Sequence, residues 1–418
     1  MSKLWKWYRD KSLILKITVG FLLGIIVGLA FGPSTQFLSP FGDLFLRLLQ
    51  MIIVPLIIFT LISAVNSSNP KEFGRVGVKI FIYYMLTTAV AMLVGVIVGG
   101  WFNPGVGMEL TGEHIDVPEA PSLIDTLLAI VPTNIFQSIV NGDILSIVFI
   151  ALIAGFVIVS MRHSAEEKIN DWGNTLYNLT QAGSEVTFRI LNGILQYAPI
   201  GIFAISASKI GEQGLDVLYS LVRYVGASYI GVAIQFIFVY LLLLMLFKVQ
   251  IKRFFKGVWG ALITAFATSS SLATLPVAIR AAEKAGIRES VSKFTLPLGA
   301  AVNSDGSAIH YGIGAIFAAN VVGLDLTFAS ILAIVLAGTI ASIGTAGVPG
   351  AGLIGLSIVL TEVGLPLEIV ALTAGVNVIT DMIFTTCNVT GDLVGAAVVD
   401  KSEEKYAISS YPEESNLA

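Results

Sequence analysis

The sequence predicts an all-α integral membrane protein, and three of its properties lead to that prediction. Of its 418 residues, 55% are hydrophobic and only 12% are charged, about half the charged fraction of an ordinary soluble protein. Apolar segments of about 20 residues or more, long enough for a helix to cross a bilayer, recur along the chain. Short basic clusters alternate with segments that lack Lys and Arg. The chain is therefore expected to cross the membrane repeatedly.

Eight segments are expected to span the bilayer. Several exceed the length that an upright helix needs, which indicates that they are tilted. The predicted spans are Leu13–Phe31, Phe41–Val65, Gly77–Phe102, Asp143–Met161, Leu176–Ser208, Leu218–Phe247, Phe294–Val322 and Leu365–Val399.

The basic clusters predict the orientation of these spans. They precede the first span, follow the second, fourth and sixth, and recur at residues 280–293, and the positive-inside rule places them in the cytoplasm. Residues 107–120 carry acids but no Lys or Arg, so they are expected outside. The charged start "MSKLWKWYRDK" has no small-residue cleavage site and is interpreted as a cytoplasmic flank rather than a removed signal peptide. A multi-pass protein of the plasma membrane, surrounded by lipid and with both termini in the cytoplasm, is expected.

Two further apolar segments, between Lys252 and Ile287 and between Phe328 and Val363, differ from ordinary spans. The first contains "TSSSLATLP" and the second "GTAGVPGAG". Serine runs and Gly/Pro clusters break helices. Broken backbone at membrane depth is tolerated only against protein or water. Both segments are therefore predicted to be re-entrant hairpins whose tips meet inside the protein.

The order of these elements predicts an inverted repeat. A hairpin plus a span (Lys252–Val322) is followed by a second hairpin plus a span (Phe328–Val399), and the two pairs enter from opposite sides. Inverted repeats with broken segments are typical of transporters that bind their substrate at the bilayer midplane. A binding site is expected where the two repeats meet.

The last predicted span carries polar residues on one helical face, at i, i+4, i+7 and i+11: Asp381, Thr385, Asn388 and Asp392. Hydroxyls such as Thr386 and Thr390 are commonly explained by helix hydrogen bonding. Carboxylates are not, because an ionised Asp at membrane depth costs several kcal/mol unless it meets a cation. The acids therefore indicate a functional site.

The motif "NSDGS" repeats this pattern in the seventh span. Asn303 and Asp305 are expected to flank backbone freed by Gly306, with Gly299 one turn earlier. Neither polar span contains Lys or Arg. Oxygen ligands alone suit a small hard cation rather than a transition metal. The histidines share no ligand spacing, and His310 is interpreted as a packed or interfacial residue.

Five motifs occur in order: "VKIFIYYMLTT", "TSSSLATLP", "PLGAAVNSDGS", "ASIGTAGVPGAG" and "NVTGD". With "FGDLFLRLLQMIIVP" and "IVPTNIF" they cover almost the whole chain, which resembles the glutamate transporter family of dicarboxylate/amino acid:cation symporters. The resemblance implies a homotrimer in which a scaffold holds a transport unit that moves like an elevator. Residues 1–251 are expected to be mostly scaffold, with residues 77–102 in the transport unit. Residues 252–399 are expected to form the core transport region and residues 400–418 a cytoplasmic tail.

The resemblance also implies roles for single residues. Asp381 would pair with the substrate's α-ammonium group and Asn388 would bind its α-carboxylate. The other implied substrate-binding residues are Thr385, Phe384, Ser307, Ser271, Val348 and Gly352. Two or three sodium ions would be held by residues from the set Tyr84, Thr87, Thr88, Gly299, Asn303, Ser304, Asp305, Ser342, Ile343, Thr345, Asn388 and Asp392.

Departures from the family pattern bear on the substrate. Family members that carry acidic substrates place an arginine where this chain has Phe384, and some relatives have one where it has Ser269. Phenylalanine offers no partner for a side-chain carboxylate, and that mismatch costs several kcal/mol in a dry pocket. A small neutral amino acid is therefore the expected substrate. Ser304 and Ala301 also depart from the family pattern, which bears on the number of ions.

Other functions are also considered. The first alternative is a proton-coupled symporter, or one for acidic amino acids or dicarboxylates, in the same family. A channel is disfavoured because single acids on two spans do not form a ring. An intramembrane hydrolase with Ser270 or Ser271 as nucleophile lacks an adjacent base, so the protein is not expected to be an enzyme. Scattered basic residues argue against nucleic acid as a partner.

Overall fold

Regular structure in the computed structural model is entirely helical over the residues that it describes, which are 11, 13–66, 73–108, 128, 131–344 and 351–407. The prediction of an all-α protein is confirmed for that part of the chain. The α-helices are α1 (Leu13–Phe31), α2 (Ser39–Asn66), α3 (Val78–Phe102), α4 (Ile135–Asn141), α5 (Ile144–Arg162), α6 (Glu167–Gln213), α7 (Leu215–Ile234), α8 (Leu241–Leu246), α9 (Ile251–Thr268), α10 (Ser271–Ala285), α11 (Glu289–Val302), α12 (Asp305–Val321), α13 (Phe328–Gly344), α14 (Ala351–Glu362) and α15 (Glu368–Ala407).

Length and composition identify membrane-spanning candidates among these helices. In the described residues five segments qualify: Leu15–Ser63, Arg75–Phe102, Glu167–Glu212, Leu215–Leu246 and Glu368–Glu403. The first overlaps two of the predicted spans, Leu13–Phe31 and Phe41–Val65. The five segments together account for the predicted spans except Asp143–Met161, whose apolar part is short, and Phe294–Val322, which is interrupted.

Helix α6 is much longer than the predicted span Leu176–Ser208. It runs for 47 residues and contains Pro199 without ending there. Its first turns are polar, so an apolar-length criterion does not detect them. Around Pro199, α1 and α6 pack closely, because a Cβ built on Gly20 would lie 2.5 Å from the Pro199 carbonyl oxygen. The predicted span therefore lies inside a longer helix.

The seventh predicted span is two helices, α11 and α12, joined at Asn303 and Ser304. The expectation that Gly306 frees the backbone there is wrong, because Gly306 lies inside α12. Its role is close packing: a Cβ on Gly306 would lie 2.7 Å from the Phe384 Cα atom on α15. The break itself involves Asn303 in an extended conformation and Ser304 at φ −139°.

The first predicted hairpin is interrupted where the serine run predicted. Helix α9 ends at Thr268 and is followed by Ser269, which has a positive φ of 48°. Ser270 then caps α10, and its hydroxyl oxygen accepts a hydrogen bond of 3.2 Å from the Ala273 N–H. The two helices pack against each other. The tip of the second predicted hairpin, residues 345–350, lies outside the described residues.

The helices form two packing groups. In one group, α6 packs along α1 and α2, and α5 packs on α2. In the other group, α12 packs along α3 and α15, with α7, α11 and α14 around them. Most polar side chains identified in the sequence belong to this second group. Helix α7 also packs within this second group, although it comes from residues 1–251, which were expected to be mostly scaffold.

Ion pairs tie three elements of the second group together at one end. Near the end of α15, Glu403 pairs with Arg75 and, at 2.6 Å, with Lys79 at the start of α3. Asp400 pairs with Arg288 beside α11 at 2.6 Å. These three cations all come from clusters that the charge pattern placed in the cytoplasm. The structure therefore gathers basic residues distant in sequence at the same end of the helices.

Candidate functional site

Asp305 is the centre of a buried polar network. It is 0% exposed at the start of α12, and its two carboxylate oxygens have different partners. The Thr88 hydroxyl of α3 donates to Oδ1 at 2.9 Å, and the Tyr240 hydroxyl donates to Oδ2 at 2.7 Å. Three elements distant in sequence thus meet at one carboxylate. These partners satisfy the buried carboxylate, as expected for a polar group inside a protein.

Asn303 links this carboxylate to a second one. Its Nδ2 donates to Asp392 Oδ1 at 3.0 Å, and its Oδ1 lies 3.3 Å from the Thr88 hydroxyl. Asp392 is only 3% exposed. The interruption between α11 and α12 positions Asn303 between the two acids. Two carboxylates, an amide and a hydroxyl therefore share one enclosed region.

Glycines make room for these acids. A Cβ built on Gly299 would lie 2.5 Å from Asp392 Oδ1 and 2.5 Å from the Tyr84 hydroxyl oxygen. A Cβ on Gly391 would lie 2.8 Å from Asp305 Oδ2. Any side chain at either position would displace an oxygen of the network. The Gly299 backbone consequently borders Asp392 directly.

The network contains two buried carboxyl groups. Neither Asp305 nor Asp392 forms an ion pair with any Lys or Arg in the described ranges. An ionised carboxylate in such a place requires a cation. The oxygen donors suit a hard ion such as sodium. No trio of His, Cys, Asp and Glu that could hold a metal occurs among the residues for which placement is given.

Hydroxyls of α3 continue the network beside these acids. The Tyr84 hydroxyl donates to the Thr295 carbonyl at 2.9 Å, and the Thr87 hydroxyl donates to the Tyr83 carbonyl at 3.1 Å. Each hydroxyl oxygen keeps lone pairs that could ligate a cation. The predicted set Tyr84, Thr87 and Thr88 is therefore brought together with Asn303 and Asp305.

Two contributors were missed in the sequence. Tyr240 and Gln235 lie at the ends of the π-helical segment Gln235–Tyr240, which joins α7 to α8. Tyr240 bonds Asp305, and Gln235 Nε2 donates to the Thr87 carbonyl at 3.4 Å. The available signal was a glutamine in an otherwise apolar span, and π-helical segments are frequent at functional sites.

Asn388 connects α15 to the start of α12. Its Oδ1 accepts hydrogen bonds from the backbone N–H groups of Gly306 at 2.7 Å and Ser307 at 3.4 Å. This arrangement orients the amide, so that Nδ2 faces the Ser307 hydroxyl at 3.5 Å. That long contact leaves Nδ2 able to donate to another acceptor, such as a carboxylate. Asn388 Nδ2 is therefore free to donate to an α-carboxylate, which is the role that the resemblance implies.

The other predicted residues of α15 lie beside Asn388. Phe384 is 3% exposed and its ring packs on His310, with centroids 5.3 Å apart. Thr385 is also buried. Asp381 is half-buried and lies one helical turn before Phe384 and Thr385. By contrast, the hydroxyls of Thr386 and Thr390 donate to carbonyls of their own helix, at 2.8 and 2.6 Å. Those two therefore have the structural role expected of membrane hydroxyls.

The remaining predicted site residues are placed in part. Ser271 is buried at the start of α10, a helix that packs against α15. Gly352 lies at the start of α14, and Ser304 is buried in the break before α12. Ser342 is buried near the end of α13, where its hydroxyl donates to the Thr339 carbonyl at 2.8 Å. Val348, Thr345 and the Ile343 side chain lie outside the described residues.

Comparison with known proteins gives consistent matches over nearly the whole chain. The family model described as "Sodium:dicarboxylate symporter family" matches residues 13–402. A proton/sodium-glutamate symport protein of Bacillus subtilis (strain 168) is 33% identical, covering 94% of this chain and 93% of the relative. A proton/glutamate-aspartate symporter of Escherichia coli (strain K12) is 31% identical, covering 94% of each. The excitatory amino acid transporter 3 of Mus musculus is 30% identical, covering 96% of this chain and 87% of the relative.

Proposed function

The chain belongs to the sodium:dicarboxylate symporter family, and we propose that it carries a small neutral amino acid into the cell together with sodium. Family and relatives are transporters, so the protein is a cation-coupled symporter and not an enzyme. It is a multi-pass membrane protein with several apolar helices. Substrate and ion are the finer parts of the proposal.

Phe384 is the observation that carries the neutral substrate. Its ring is buried on the same face of α15 as Asp381 and Asn388, the residues proposed to hold the α-ammonium and α-carboxylate groups. The family resemblance implies an arginine at this position in carriers of acidic substrates. An apolar ring cannot compensate a second carboxylate, and removing that carboxylate from water costs several kcal/mol. A neutral side chain has no such cost.

An acidic amino acid is the second candidate, and the names of the relatives favour it. Those named above from the two bacteria are glutamate or glutamate-aspartate symporters. They are 33% and 31% identical to this chain, so the residues that line the substrate pocket can differ between them and this chain. The two candidates differ in one measurable property, which is whether aspartate competes with a neutral amino acid.

Sodium is the proposed coupling ion because of the two buried acids. Asp305 and Asp392 lie among hydroxyl and amide oxygens with no Lys or Arg paired to them in the described ranges. Two or three sodium ions are proposed, of which two would balance the two carboxylates. Asn388 would connect the ion sites to the substrate. The relatives' names include protons as well as sodium, so proton coupling is the alternative.

The architecture proposed for this function has eight spans, two re-entrant hairpins and a trimeric scaffold with an elevator movement. The two packing groups support a division into scaffold and transport unit, with α7 added to the latter. The ion pairs of Glu403 and Asp400 gather predicted cytoplasmic residues at one end, which supports a cytoplasmic C-terminus.

Exchanging the side chain at position 384 tests the substrate directly. In wild-type protein, alanine or serine should compete for uptake far better than aspartate. Phe384→Arg should shift this preference toward aspartate by tenfold or more, because a buried ion pair becomes possible. Phe384→Leu is the matched control, since it changes shape without adding charge, and it should leave aspartate excluded. Tight aspartate binding by the wild-type protein would contradict the neutral substrate.

A further inference from the structure

A buried histidine packs against Phe384 and has one ring nitrogen without a hydrogen-bond partner among the described residues. His310 on α12 is 1% exposed, and its Nδ1 is hydrogen-bonded to the Tyr224 hydroxyl of α7. Its Nε2 is also buried and has no hydrogen-bond partner within the part of the chain that the structure describes. Buried polar atoms are nearly always paired. An unused one beside a binding site therefore marks a place for a ligand atom.

The hydrogen bond between Tyr224 and His310 uses one of the two ring nitrogens. The Tyr224 hydroxyl is fully buried, and His310 Nδ1 is its hydrogen-bond partner. The Tyr224 hydroxyl is assigned as the donor, and Nδ1 of a neutral imidazole then accepts. The neutral imidazole then carries its hydrogen on Nε2, which becomes a hydrogen-bond donor.

Two contacts locate the Nε2 edge of the ring. The imidazole packs on Phe384, with centroids 5.3 Å apart. Its Cδ2, which is bonded to Nε2, lies 3.9 Å from the Cβ position built on Gly352, the second residue of α14. The edge therefore faces the region between Phe384 and the start of α14. Asp381 precedes Phe384 by one helical turn and Asn388 follows it by one, so all three border this region.

We propose that His310 Nε2 donates a hydrogen bond to the substrate's side chain, and that the substrate is a small neutral amino acid with a hydroxyl group. This rests on the proposed function, in which Asp381 and Asn388 hold the α-ammonium and α-carboxylate groups. A polar group built to bond a hydroxyl rejects an analogue that lacks it, because the protein donor is then left unpaired. Phe384 fills the rest of the space with an apolar ring, which favours a short side chain.

The test compares two amino acids that differ by one hydroxyl group. Equilibrium binding of L-serine, L-alanine and L-aspartate is measured in saturating sodium for wild type, His310→Leu and His310→Gln. The readout is the ratio of the dissociation constants for alanine and serine, so a general loss of affinity or of folded protein cancels. His310→Leu should lower this ratio by about tenfold, in the range of one unpaired buried donor. His310→Gln returns an N–H group near the position of Nε2 and should restore most of the ratio.

A second variant, Tyr224→Phe, tests the same role if His310→Leu does not fold. Tyr224→Phe removes the hydroxyl that orients the imidazole and should lower the ratio by a smaller factor. A ratio unchanged in both His310→Leu and Tyr224→Phe, with neutral amino acids still preferred, overturns the role of His310 and leaves the proposed function standing. If wild-type protein binds aspartate but neither serine nor alanine, the proposal of a neutral substrate is wrong. The role proposed for His310 is then wrong as well.

Discussion

Asp381→Asn should lower the affinity for the amino acid by two to three orders of magnitude and leave sodium binding to the substrate-free protein in place. The proposed pair is between this carboxylate and the α-ammonium group. Removing one member of a buried charge pair costs about 2–5 kcal/mol. The hydrogen bonds of Asp305 to Thr88 and Tyr240, and of Asn303 to Asp392, do not involve Asp381, so the cation sites should keep their geometry. Titration calorimetry with and without sodium measures both quantities.

The matched control for Asp381 is Thr386 on the same helix. Its hydroxyl donates to the Met382 carbonyl at 2.8 Å and takes no part in the proposed pocket. Thr386→Ala should therefore change substrate affinity less than threefold, about 0.7 kcal/mol. Near-normal substrate affinity in Asp381→Asn would show that the ammonium group is held elsewhere.

Gly299→Ala should lower the apparent affinity for sodium by about ten- to hundredfold. The new methyl group would lie 2.5 Å from Asp392 Oδ1 and 2.5 Å from the Tyr84 hydroxyl oxygen. Both atoms must move, and overpacking of this kind costs about 1–3 kcal/mol. Because the acids and hydroxyls act together as proposed ligands, their displacement should raise the sodium concentration needed for half-maximal uptake.

Gly260→Ala makes the same chemical change without the clash. Gly260 is exposed on α9, and nothing lies within 4 Å of a Cβ built there. This variant should keep wild-type sodium dependence, and the higher helix propensity of alanine should not weaken the fold. Equal sodium dependence of Gly299→Ala and wild type would mean that no sodium ion is bound beside Asp392.

The sequence predicted the helices well where apolar length and polar interruption were both visible. Helix α1 has the predicted bounds Leu13–Phe31. The serine run from Thr268 marked the break between α9 and α10, since serines cap helices. The length of α6 was not predictable from hydropathy, because its polar first turns resemble a loop in composition.

The candidate site was predictable residue by residue, but its connections were not. Asp305 and Asp392 were identified because carboxylates are costly in a membrane. That Asn303 would join them, or that Tyr240 would bond Asp305, depends on helix packing over 65 or more residues of chain. His310 gave no signal in sequence, because a single histidine is most often a packed residue. Only its burial beside Phe384, with Nε2 unused, distinguishes it.

Uptake of radiolabelled serine or alanine into proteoliposomes tests the central claim of sodium-coupled neutral transport most directly. A zwitterion carries no net charge, so the membrane potential can act only through the coupled ions. Each sodium ion moved inward adds roughly 2.3 kcal/mol per 100 mV. An inward sodium gradient should therefore drive accumulation, and an inside-negative potential should increase it. Accumulation driven equally well by a proton gradient in sodium-free buffer would contradict the account.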